Sequence, residues 1–407
     1  MALDPKTRYP GQVSTLDPGY PNGKAQNIVV VNDGTGTPWE QDLVNDFLGF
    51  EQALLDAARI TPTNTPDKVG ASQYLDALRD ACRREIQKKQ AINWPERGSF
   101  HDAGDLVTPD GPVDIAWAPT LGVSLGGRYV VISPSNTSGF RPWSSEDGTE
   151  WDHSGLNNAA YQCVAYGKIN GAPGFLMTWA APTGYYTSVD GLAWGPLSAT
   201  VPAHAVACWA ESLSLWVLAG DAGVIYTSPT GLAGSWTVRT TPGAWVSGCG
   251  GARRIVWNGS LFVILPLGSY SKCLTSPDGI NWTERALGGS GLWVGVAYSS
   301  YDGLWMAIGN GLGYSTSPDG LTWTLTPGPP AANDLAVIGP LWVMVTQSAS
   351  FGGIAYSTNK GASWSTVAVG NHRVATAGWN RIVVADGRFV VAHATGAQTE
   401  IALSVRA

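Results

Sequence analysis

Side chains suited to catalysis are few and scattered along this sequence. The acidic candidates Glu146, Glu150, Glu211 and Glu284 lie beside turns. Glycoside hydrolysis needs two carboxyl groups that face each other across the bond to be broken, and the spacing of these residues nominates no such pair. The histidines have no Ser or Cys at a recognisable catalytic spacing; they are His101, His153, His204, His372 and His393. We therefore predict no catalytic residues and expect that the protein is not an enzyme.

The cysteines indicate neither a disulfide framework nor a metal site. Their number is odd, and they are Cys82, Cys163, Cys208, Cys249 and Cys273. No two of them have the spacing of metal ligands. We interpret them as small buried apolar residues of a chain that folds in a reducing cytoplasm, and we expect no metal and no cofactor.

Ligand binding is the alternative to catalysis, and loop residues are the candidates for it. Recognition of a glycan uses an aromatic surface with a few polar groups beside it. The stretches SPSNTSGFRPW, TWAAPTGYY, PLGSYSK and QSASFGGI combine these residue types. The candidate receptor contacts are Phe140, Arg141, Trp143, Trp179, Tyr270 and Phe351. For Trp143 and Trp179, packing against neighbouring strands is favoured over ligand contact.

A motif that occurs six times indicates the elements that must position these loops. It reads TSPDGINW at 275–282, and its copies end at Trp151, Trp194, Trp236, Trp282, Trp323 and Trp364. Consecutive copies are 41 to 46 residues apart. Such a period, in a sequence of short β-branched and aromatic stretches, is typical of four-stranded propeller blades. The motif is therefore interpreted as the turn between the third and fourth strands of each blade, with the candidate loops at the opposite end.

The two ends of the propeller region together predict a further blade. Three more strands follow the last copy of the motif, without a closing Trp. Far upstream, AINWPERGSF (91–100) resembles GINWTERALG (279–288), so we predict that Trp94 begins the missing outer strand. This overlap leaves no edge strand open. The predicted fold is mainly β: a seven-bladed propeller over 91–407, closed by an N-terminal strand and preceded by a short helical segment.

The repeated turn resembles the Asp-box of sialidase-like propellers, written Ser-x-Asp-x-Gly-x-Thr-Trp. In two copies Thr230 or Asn359 takes the place of Asp. The resemblance implies a structural role for Asp147, Trp151, Asp190, Trp194, Trp236, Asp278, Trp282, Asp319, Trp323, Asn359 and Trp364. In such families the box lies at the blade periphery, away from the ligand face.

The same resemblance raises the hypothesis of sialidase-like hydrolysis. That chemistry requires three arginines that hold a carboxylate, a Tyr–Glu pair and an acidic Asp. The early arginines are Arg128, Arg141, Arg253 and Arg254. Because Arg253 and Arg254 are adjacent, we expect them to point to opposite faces of a strand. Three arginines converging on the propeller axis would restore the hydrolase hypothesis.

The first ninety residues differ in composition from the rest. Residues 1–38 are rich in Pro, Gly, Asn and Asp and are interpreted as an extended arm. Residues 39–90 contain two amphipathic stretches, 39–60 and 71–90, with apolar residues at steps of three and four. Parallel self-association would bury these apolar stripes, so we predict a trimerising neck. Packing of both helices on the side of the propeller remains the alternative.

The segment 38–85 resembles the N-terminal attachment segments of tail fibres and receptor-binding proteins of tailed bacteriophages. The match rests on WEQDLVNDFLGFEQALLDAARITP, a polar turn, and then ASQYLDALRDA. The resemblance implies a virion tail protein, made in the host cytoplasm and attached to other tail or baseplate proteins through 1–38. The propeller would then bind a bacterial surface glycan or an outer-membrane protein. A structural baseplate component without receptor contact is the alternative.

Charge narrows the expected partners further. The formal net charge is −7, and acidic residues also outnumber basic ones within 92–407. This balance argues against nucleic acid or an anionic membrane surface as a partner. The start of the sequence lacks a basic segment followed by an apolar one, so we expect no export by a signal peptide.

Overall fold

The structure is a computed structural model. It describes residues 13–14, 24–25, 78, 100–106, 114–119, 127–132, 142–146, 148, 151–153, 156, 161–179, 184–197, 201, 206–327, 332–346, 353–366, 379–385, 387–395 and 398–404. Among these residues, no helix has the length and apolar character needed to cross a membrane.

The chain divides into two compact units, Met1–Ile86 and Gln87–Ala407. In the first unit, β1 (Val13–Ser14) pairs antiparallel with β2 (Lys24–Ala25). The predicted helices 39–60 and 71–90 lie outside the described residues, except that Leu78 is helical and exposed. Trimerisation through this segment stays a prediction.

The second unit is a mainly β propeller, as predicted, made of four-stranded antiparallel sheets. The first sheet contains β4 (Asp114–Ala118), β5 (Arg128–Ile132), β6 (Trp143–Ser145) and β7 (Asp152–His153). The next contains β8 (Tyr161–Ile169), β9 (Ala172–Trp179), β10 (Tyr185–Ser188) and β11 (Gly195–Leu197). It is followed by β12 (Val206–Ala210), β13 (Leu215–Ala219), β14 (Ile225–Ser228) and β15 (Thr237–Arg239).

Three further sheets follow in the same order along the chain. They are β16 (Ala252–Trp257), β17 (Phe262–Pro266), β18 (Tyr270–Ser276) and β19 (Thr283–Gly291); β20 (Trp293–Ser299), β21 (Leu304–Gly309), β22 (Gly313–Ser317) and β23 (Thr324–Thr326); and β24 (Ala332–Ile338), β25 (Leu341–Thr346), β26 (Ile354–Ser357) and β27 (Ser365–Thr366). A short helix, α1 (Gly243–Gly248), connects β15 to β16, and single 3-10 turns lie at Glu211–Leu213 and Asp221–Gly223.

The last sheet combines the two ends of the propeller unit. The strands β28 (Trp379–Ala385), β29 (Arg388–Thr395) and β30 (Gln398–Ser404) continue into β3 (Phe100–Leu106), which pairs antiparallel with β30. The described N-terminal strand therefore begins at Phe100, whereas the sequence predicted a start at Trp94, which lies outside the described residues. Neighbouring innermost strands contact each other in the cyclic order β4, β8, β12, β16, β20, β24, β28 and β4 again.

The apolar core lies between neighbouring sheets. Because both faces of a middle strand are covered, β25 reads as the continuous run LWVMVT and is buried throughout. The Trp that ends each repeated turn packs against the preceding sheet; Trp282, for example, lies with Val217 and Ala210 of the β12–β15 sheet. Large apolar and aromatic side chains that would be costly to expose thus join one sheet to the next.

The repeated turns, here called the tryptophan turns, are held by side chains that accept backbone hydrogen bonds. In the copy at Trp282, Ser276 Oγ accepts from Gly279 N at 2.8 Å. Asp278 Oδ1 accepts from the N–H groups two and three residues later, each at 2.8 Å. Trp282 Nε1 donates to Gly279 O at 3.1 Å. The copies with Asp190 and Asp319 repeat this arrangement.

Glycine in these turns meets two separate requirements. Gly320 has φ of 73°, a conformation that other residues rarely adopt. A Cβ at this position would also lie 2.5 Å from Leu261 Cδ2 on the preceding sheet. A larger residue here would be strained in its backbone and would have to displace the Leu261 side chain.

The two turns that depart from the motif in sequence also depart in structure. Thr230 Oγ1 accepts one long hydrogen bond of 3.3 Å, and Trp236 Nε1 donates to Tyr185 OH of the neighbouring sheet. In the last copy Asn359 Oδ1 accepts from Ser363 N. The carboxylate is therefore not essential to the turn, although it accepts more bonds than its replacements.

We expect the carboxylates of these turns to make the stability of the protein depend on pH. Partial burial acts to raise the pKa of Asp278, but hydrogen bonds from the Asn281 and Ile280 N–H groups outweigh it and lower the pKa to about 2. The pKa of Asp190 and that of Asp319 are lowered too. A carboxylate with a lowered folded-state pKa stabilises the protein above its unfolded pKa of about 3.9, and that contribution is lost as the pH falls toward 2.

Replacing Asp278 by Asn should therefore destabilise the protein by about 1 kcal/mol at pH 7 and by close to nothing near pH 2. Urea unfolding of both proteins between these pH values measures the difference. The reciprocal change Asn359→Asp is expected to add the same pH dependence at the last turn. If the difference in unfolding free energy between Asp278→Asn and the parent protein did not change with pH, the lowered pKa of Asp278 would be contradicted.

Candidate functional site

A β-bulge recurs near the start of the innermost strand in five sheets. The register shifts fall between Tyr161 and Cys163, Ala252 and Arg254, Trp293 and Gly295, Ala332 and Asp334, and Trp379 and Arg381. An extra residue in one strand bends the strand and re-aims its side chains, and such bulges are enriched beside functional sites. Because the chain enters each innermost strand at this end, the bulges lie opposite the tryptophan turns. We call this end the loop face.

Charged side chains at the bulges of β24 and β28 meet Asp114, the first residue of β4. Arg381 Nε donates to Asp114 Oδ1 at 2.8 Å, and Arg381 Nη1 donates to Asp334 Oδ2 at 2.9 Å. Arg381 Nη2 contacts Asp114 Oδ1 as well. Both carboxylates are buried. One guanidinium therefore links the sheets that begin with β4, β24 and β28.

A second arginine reaches the same carboxylate across an intervening strand. Arg254 on β16 forms two hydrogen bonds with Asp334 on β24, each at 3.4 Å. The strand between them, β20, carries Gly295 at the corresponding bulge. A Cβ on Gly295 would lie 2.8 Å from Leu335 N and 3.1 Å from Asp334 Oδ1. Glycine at this position leaves the space that the Arg254–Asp334 pair occupies.

Backbone donors hold both carboxylates in place. Asp334 accepts from Leu335 N at 3.0 Å and from Ile382 N at 3.3 Å. Asp114 accepts from Ile115 N and Val164 N, each at 3.1 Å. Hydrogen bonds to a carboxylate are among the stronger ones in proteins, so these contacts hold both side chains in one orientation.

The protonation states follow from burial and from these pairs. Burial acts to lower the pKa of Arg381, but Asp114 and Asp334 outweigh it, so its pKa is raised. Burial and then the charge of Arg381 lower the pKa of Arg254. Burial, followed by the charge of Asp114, raises the pKa of the Cys163 thiol well above its usual value, so this thiol is neutral. Cys163 Sγ accepts from Ala207 N at 3.2 Å, which extends the polar network to β12.

That Arg253 and Arg254 point to opposite faces of a strand stays a prediction, and the strand is irregular at this position. The two arginines interact electrostatically with the same charges, those of Asp334 and Arg381. Strict alternation applies to a regular strand, and the bulge between Ala252 and Arg254 interrupts it. We call Asp114, Cys163, Arg253, Arg254, Asp334 and Arg381 the axial cluster.

Three of the predicted receptor contacts lie within the described residues, and all three are at strand ends on the loop face. Trp179 ends β9 and stacks edge-on with Tyr186, with ring centres 5.8 Å apart. Trp143 begins β6 and packs into an apolar cluster with Trp151. Both are half-buried, in keeping with the packing alternative.

Tyr270 forms side-chain contacts within its own sheet. Its hydroxyl donates to Glu284 Oε1 at 2.8 Å, and Lys272 Nζ donates to Glu284 Oε2 at 2.7 Å. Trp245 of α1 packs edge-on against the ring. Phe140, Arg141 and Phe351 lie outside the described residues, as does the turn residue Asp147. Receptor contact by any of these residues stays a prediction.

The cysteines of the propeller are free thiols. Cys163, Cys249 and Cys273 are buried and Cys208 is half-buried. Across the described part of the chain, no group of three His, Cys, Asp or Glu side chains is arranged to hold a metal ion.

Comparison with known proteins gives the fold and no family. No family model matches the sequence, and no curated protein matches it. Among solved structures, the chain is similar to YCF48 bound to D1 peptide, with 14% identity, a TM-score of 0.56, and coverage of 74% of this chain and 94% of that one. It is also similar to a streptogramin B lyase, with 10% identity, a TM-score of 0.57, and coverage of 76% and 98%. A virginiamycin B lyase from Staphylococcus aureus matches with 11% identity, a TM-score of 0.55, and coverage of 75% and 100%.

These similarities correct one conclusion drawn from the sequence. The expectation that the protein is not an enzyme is contradicted, because two of the similar propellers are lyases. At 10 and 11% identity the similarity establishes the fold alone, and it assigns no activity to this chain.

Proposed function

We propose that this protein is a receptor-binding component of a bacteriophage tail. In this proposal 1–38 attaches to other tail or baseplate proteins, 39–90 joins three copies, and the loop face of the propeller meets a host-surface glycan or outer-membrane protein. The observation that carries it is the concentration of functional features on one face. The axial cluster and the described contact candidates Trp143, Trp179 and Tyr270 all lie at the end opposite the tryptophan turns. The tail context rests on the resemblance of 38–85.

We further infer that the seven four-stranded sheets are the blades of one ring that β3 closes. Support comes from the cyclic order in which innermost strands contact each other, including β28 with β4. The pairing of β3 with β30 supports it as well. On this inference the tryptophan turns are shortened Asp-boxes that fix the outer strands.

A second candidate function is sialidase-like glycoside hydrolysis. It is favoured by the electrostatic interaction of Arg253 and Arg254 with Arg381, which groups three arginines near the starts of innermost strands. Against it, Arg254 and Arg381 are already paired with Asp334 and Asp114. A substrate carboxylate would have to compete with those pairs, so we rank binding ahead of hydrolysis.

Binding of the labelled full chain to Gram-negative host cells tests the proposal, with released reducing sugar followed in parallel. We expect stable binding that weakens about tenfold or more when Phe140 and Phe351 are replaced by Ala, because aromatic anchors dominate such interfaces. The matched control replaces Ile280 and Leu321, exposed residues of the opposite face, by Ala and should change nothing.

Three results would count against receptor binding at the loop face. Equal weakening of cell binding in the Phe140/Phe351 variant and in the Ile280/Leu321 variant would show that the loop face is not the contact surface. Binding that decays as sugar is released would favour the hydrolase. A lack of binding to every host of the parent phage would favour a structural tail component.

A further inference from the structure

The end of the propeller opposite the loop face exposes large apolar side chains. We call this end the turn face, because it carries the tryptophan turns. Ile280 and Leu321 each follow the glycine of a tryptophan turn, and they are 43% and 39% exposed. Leu213, in the connection from β12 to β13, is 39% exposed. We call these three residues the apolar band. A single exposed leucine is common on protein surfaces, so what matters is whether the three share one surface.

Leu213 and Ile280 belong to neighbouring sheets whose turns are in contact. Gly279, next to Ile280, approaches the sheet before it so closely that a Cβ at this position would lie 2.9 Å from Leu215 Cδ2. Leu215 is the first residue of β13 and follows Leu213 by two positions. The first two members of the band therefore lie on adjoining parts of the turn face.

The same relation repeats one sheet further along the chain. Gly320, next to Leu321, lies against Leu261 of the sheet before it, where an added Cβ would be 2.5 Å from Leu261 Cδ2. The turn that leads to Leu261 contains Gly259, and Ser212 Oγ lies 3.5 Å from Gly259 O. Ser212 is next to the first member of the band. Connections of three consecutive sheets thus touch one another, and the apolar band is one surface.

The chain enters the propeller unit at this same turn face. β30 is the third strand of its sheet, and third strands run from the loop face toward the turn face. β3 pairs antiparallel with β30, and Phe100 lies opposite Ser404, the last residue of β30. β3 therefore begins at the turn face and runs toward the loop face. The chain that precedes Phe100 is joined to the propeller on the side that carries the apolar band.

We infer that the apolar band is a contact surface between copies of this chain. The inference rests on the proposed function, in which 39–90 joins three copies. Copies joined through the chain before β3 are tethered on their turn faces, whereas their loop faces stay free for a receptor. Contact between turn faces removes the band from water, which stabilises the assembly. Because the neck holds the copies together in that proposal, cell binding through the loop face does not depend on the band.

Distances between spin labels in the full chain test this contact. The label is attached at Ile280→Cys or, as the matched control, at Leu267→Cys, because Leu267 follows β17 at the loop face and is 41% exposed. Both changes are made together with Cys82→Ala, which removes the thiol of the predicted neck, and Cys82→Ala alone gives the background labelling. We expect pulsed EPR to give a shorter distance between copies for the label at 280 than for the label at 267.

Charged substitutions give a second readout in the full chain. Ile280→Asp combined with Leu321→Asp should lower the thermal midpoint by about 4 °C or more, because each carboxylate would be buried between copies. The matched control combines Leu267→Asp with Leu292→Asp, whose parent side chains are 41% and 38% exposed at the loop face. Substitutions that stay exposed change stability little, so the control should shift the midpoint by about 1 °C or less.

Light scattering of the same samples separates this inference from the proposed function. A trimer with equal label distances at 280 and 267, or with equal midpoint shifts in the two Asp variants, would overturn the contact and leave the trimer in place. A monomer would overturn both the neck and the contact, and the cell assay would then decide receptor binding by itself. A trimer with the shorter distance at 280 but without cell binding would support the contact while the receptor function fails.

Discussion

Replacing Arg381 by Met is expected to lower the free energy of unfolding by about 3 to 5 kcal/mol. Arg381 is the cation shared by Asp114 and Asp334, whose side chains are 6% and 4% exposed. Met has a similar length and no charge, so the change leaves both carboxylates buried with less compensation. The cost arises from these stranded charges more than from the lost attraction, because burying the whole group of charges is itself expensive.

Urea unfolding, with the midpoint and the slope both reported, measures this loss. The control is Lys168→Met, which breaks the pair of Lys168 with Glu211, whose side chains are 39% and 65% exposed. An exposed pair of this kind contributes about 1 kcal/mol or less. Adding Asp114→Asn to Arg381→Met should recover part of the loss, since it removes one stranded charge. A similar loss in Arg381→Met and Lys168→Met would show that the axial cluster is no more than a surface network.

The propeller could be predicted because each repeat contains the same short turn motif. A turn with Ser and Gly followed by Trp recurs every 41 to 46 residues, and this period defines the four-stranded sheet as the repeating unit. Even the departures were informative. Thr230 and Asn359 mark the turns in which the hydrogen bonds of the tryptophan differ: Trp236 donates to Tyr185, whereas Trp282 donates to a glycine carbonyl of its own turn.

The axial cluster was not predictable by the same means, because its members come from distant parts of the chain. Asp114 and Arg381 are 267 residues apart, and nothing in the local sequence of either points to the other. Their signal is positional: Asp114, Arg254, Asp334 and Arg381 each precede an Ile or Leu that opens the apolar run of an innermost strand. Comparing the repeats at the position just before this Ile or Leu would have identified these four residues together.

For the aromatic candidates, the sequence identified the residues but did not show whether their side chains are buried or exposed. An aromatic residue in a loop looks the same in sequence whether it packs inward or faces solvent. Trp143 and Trp179 have only part of their surface exposed, because each lies at a strand end where the neighbouring sheet covers it. The bulge between Ala252 and Arg254 could not be predicted either, since it inserts a residue that no periodic pattern reveals.

Two proline substitutions in β30 should each destabilise the protein by about 3 kcal/mol or more. Ala402 pairs with Val391 on β29 and with Asp102 on β3. Leu403 likewise pairs on both sides, with Val390 and with His101. Successive N–H groups of a strand point to opposite neighbours, so Ala402→Pro and Leu403→Pro remove one donor toward β29 and one toward β3.

The contrast with an edge strand makes this a test of how the ring closes. Thr237 and Val238 lie on β15, which pairs with β14 alone within its sheet. Of Thr237→Pro and Val238→Pro, only the one whose N–H points toward β14 should cost more than about 1 kcal/mol. Urea unfolding of all four variants gives the comparison. If only one of the β30 substitutions were costly, β30 would be an edge strand and β3 would not close the ring; two costly substitutions are the outcome expected of a strand held on both sides.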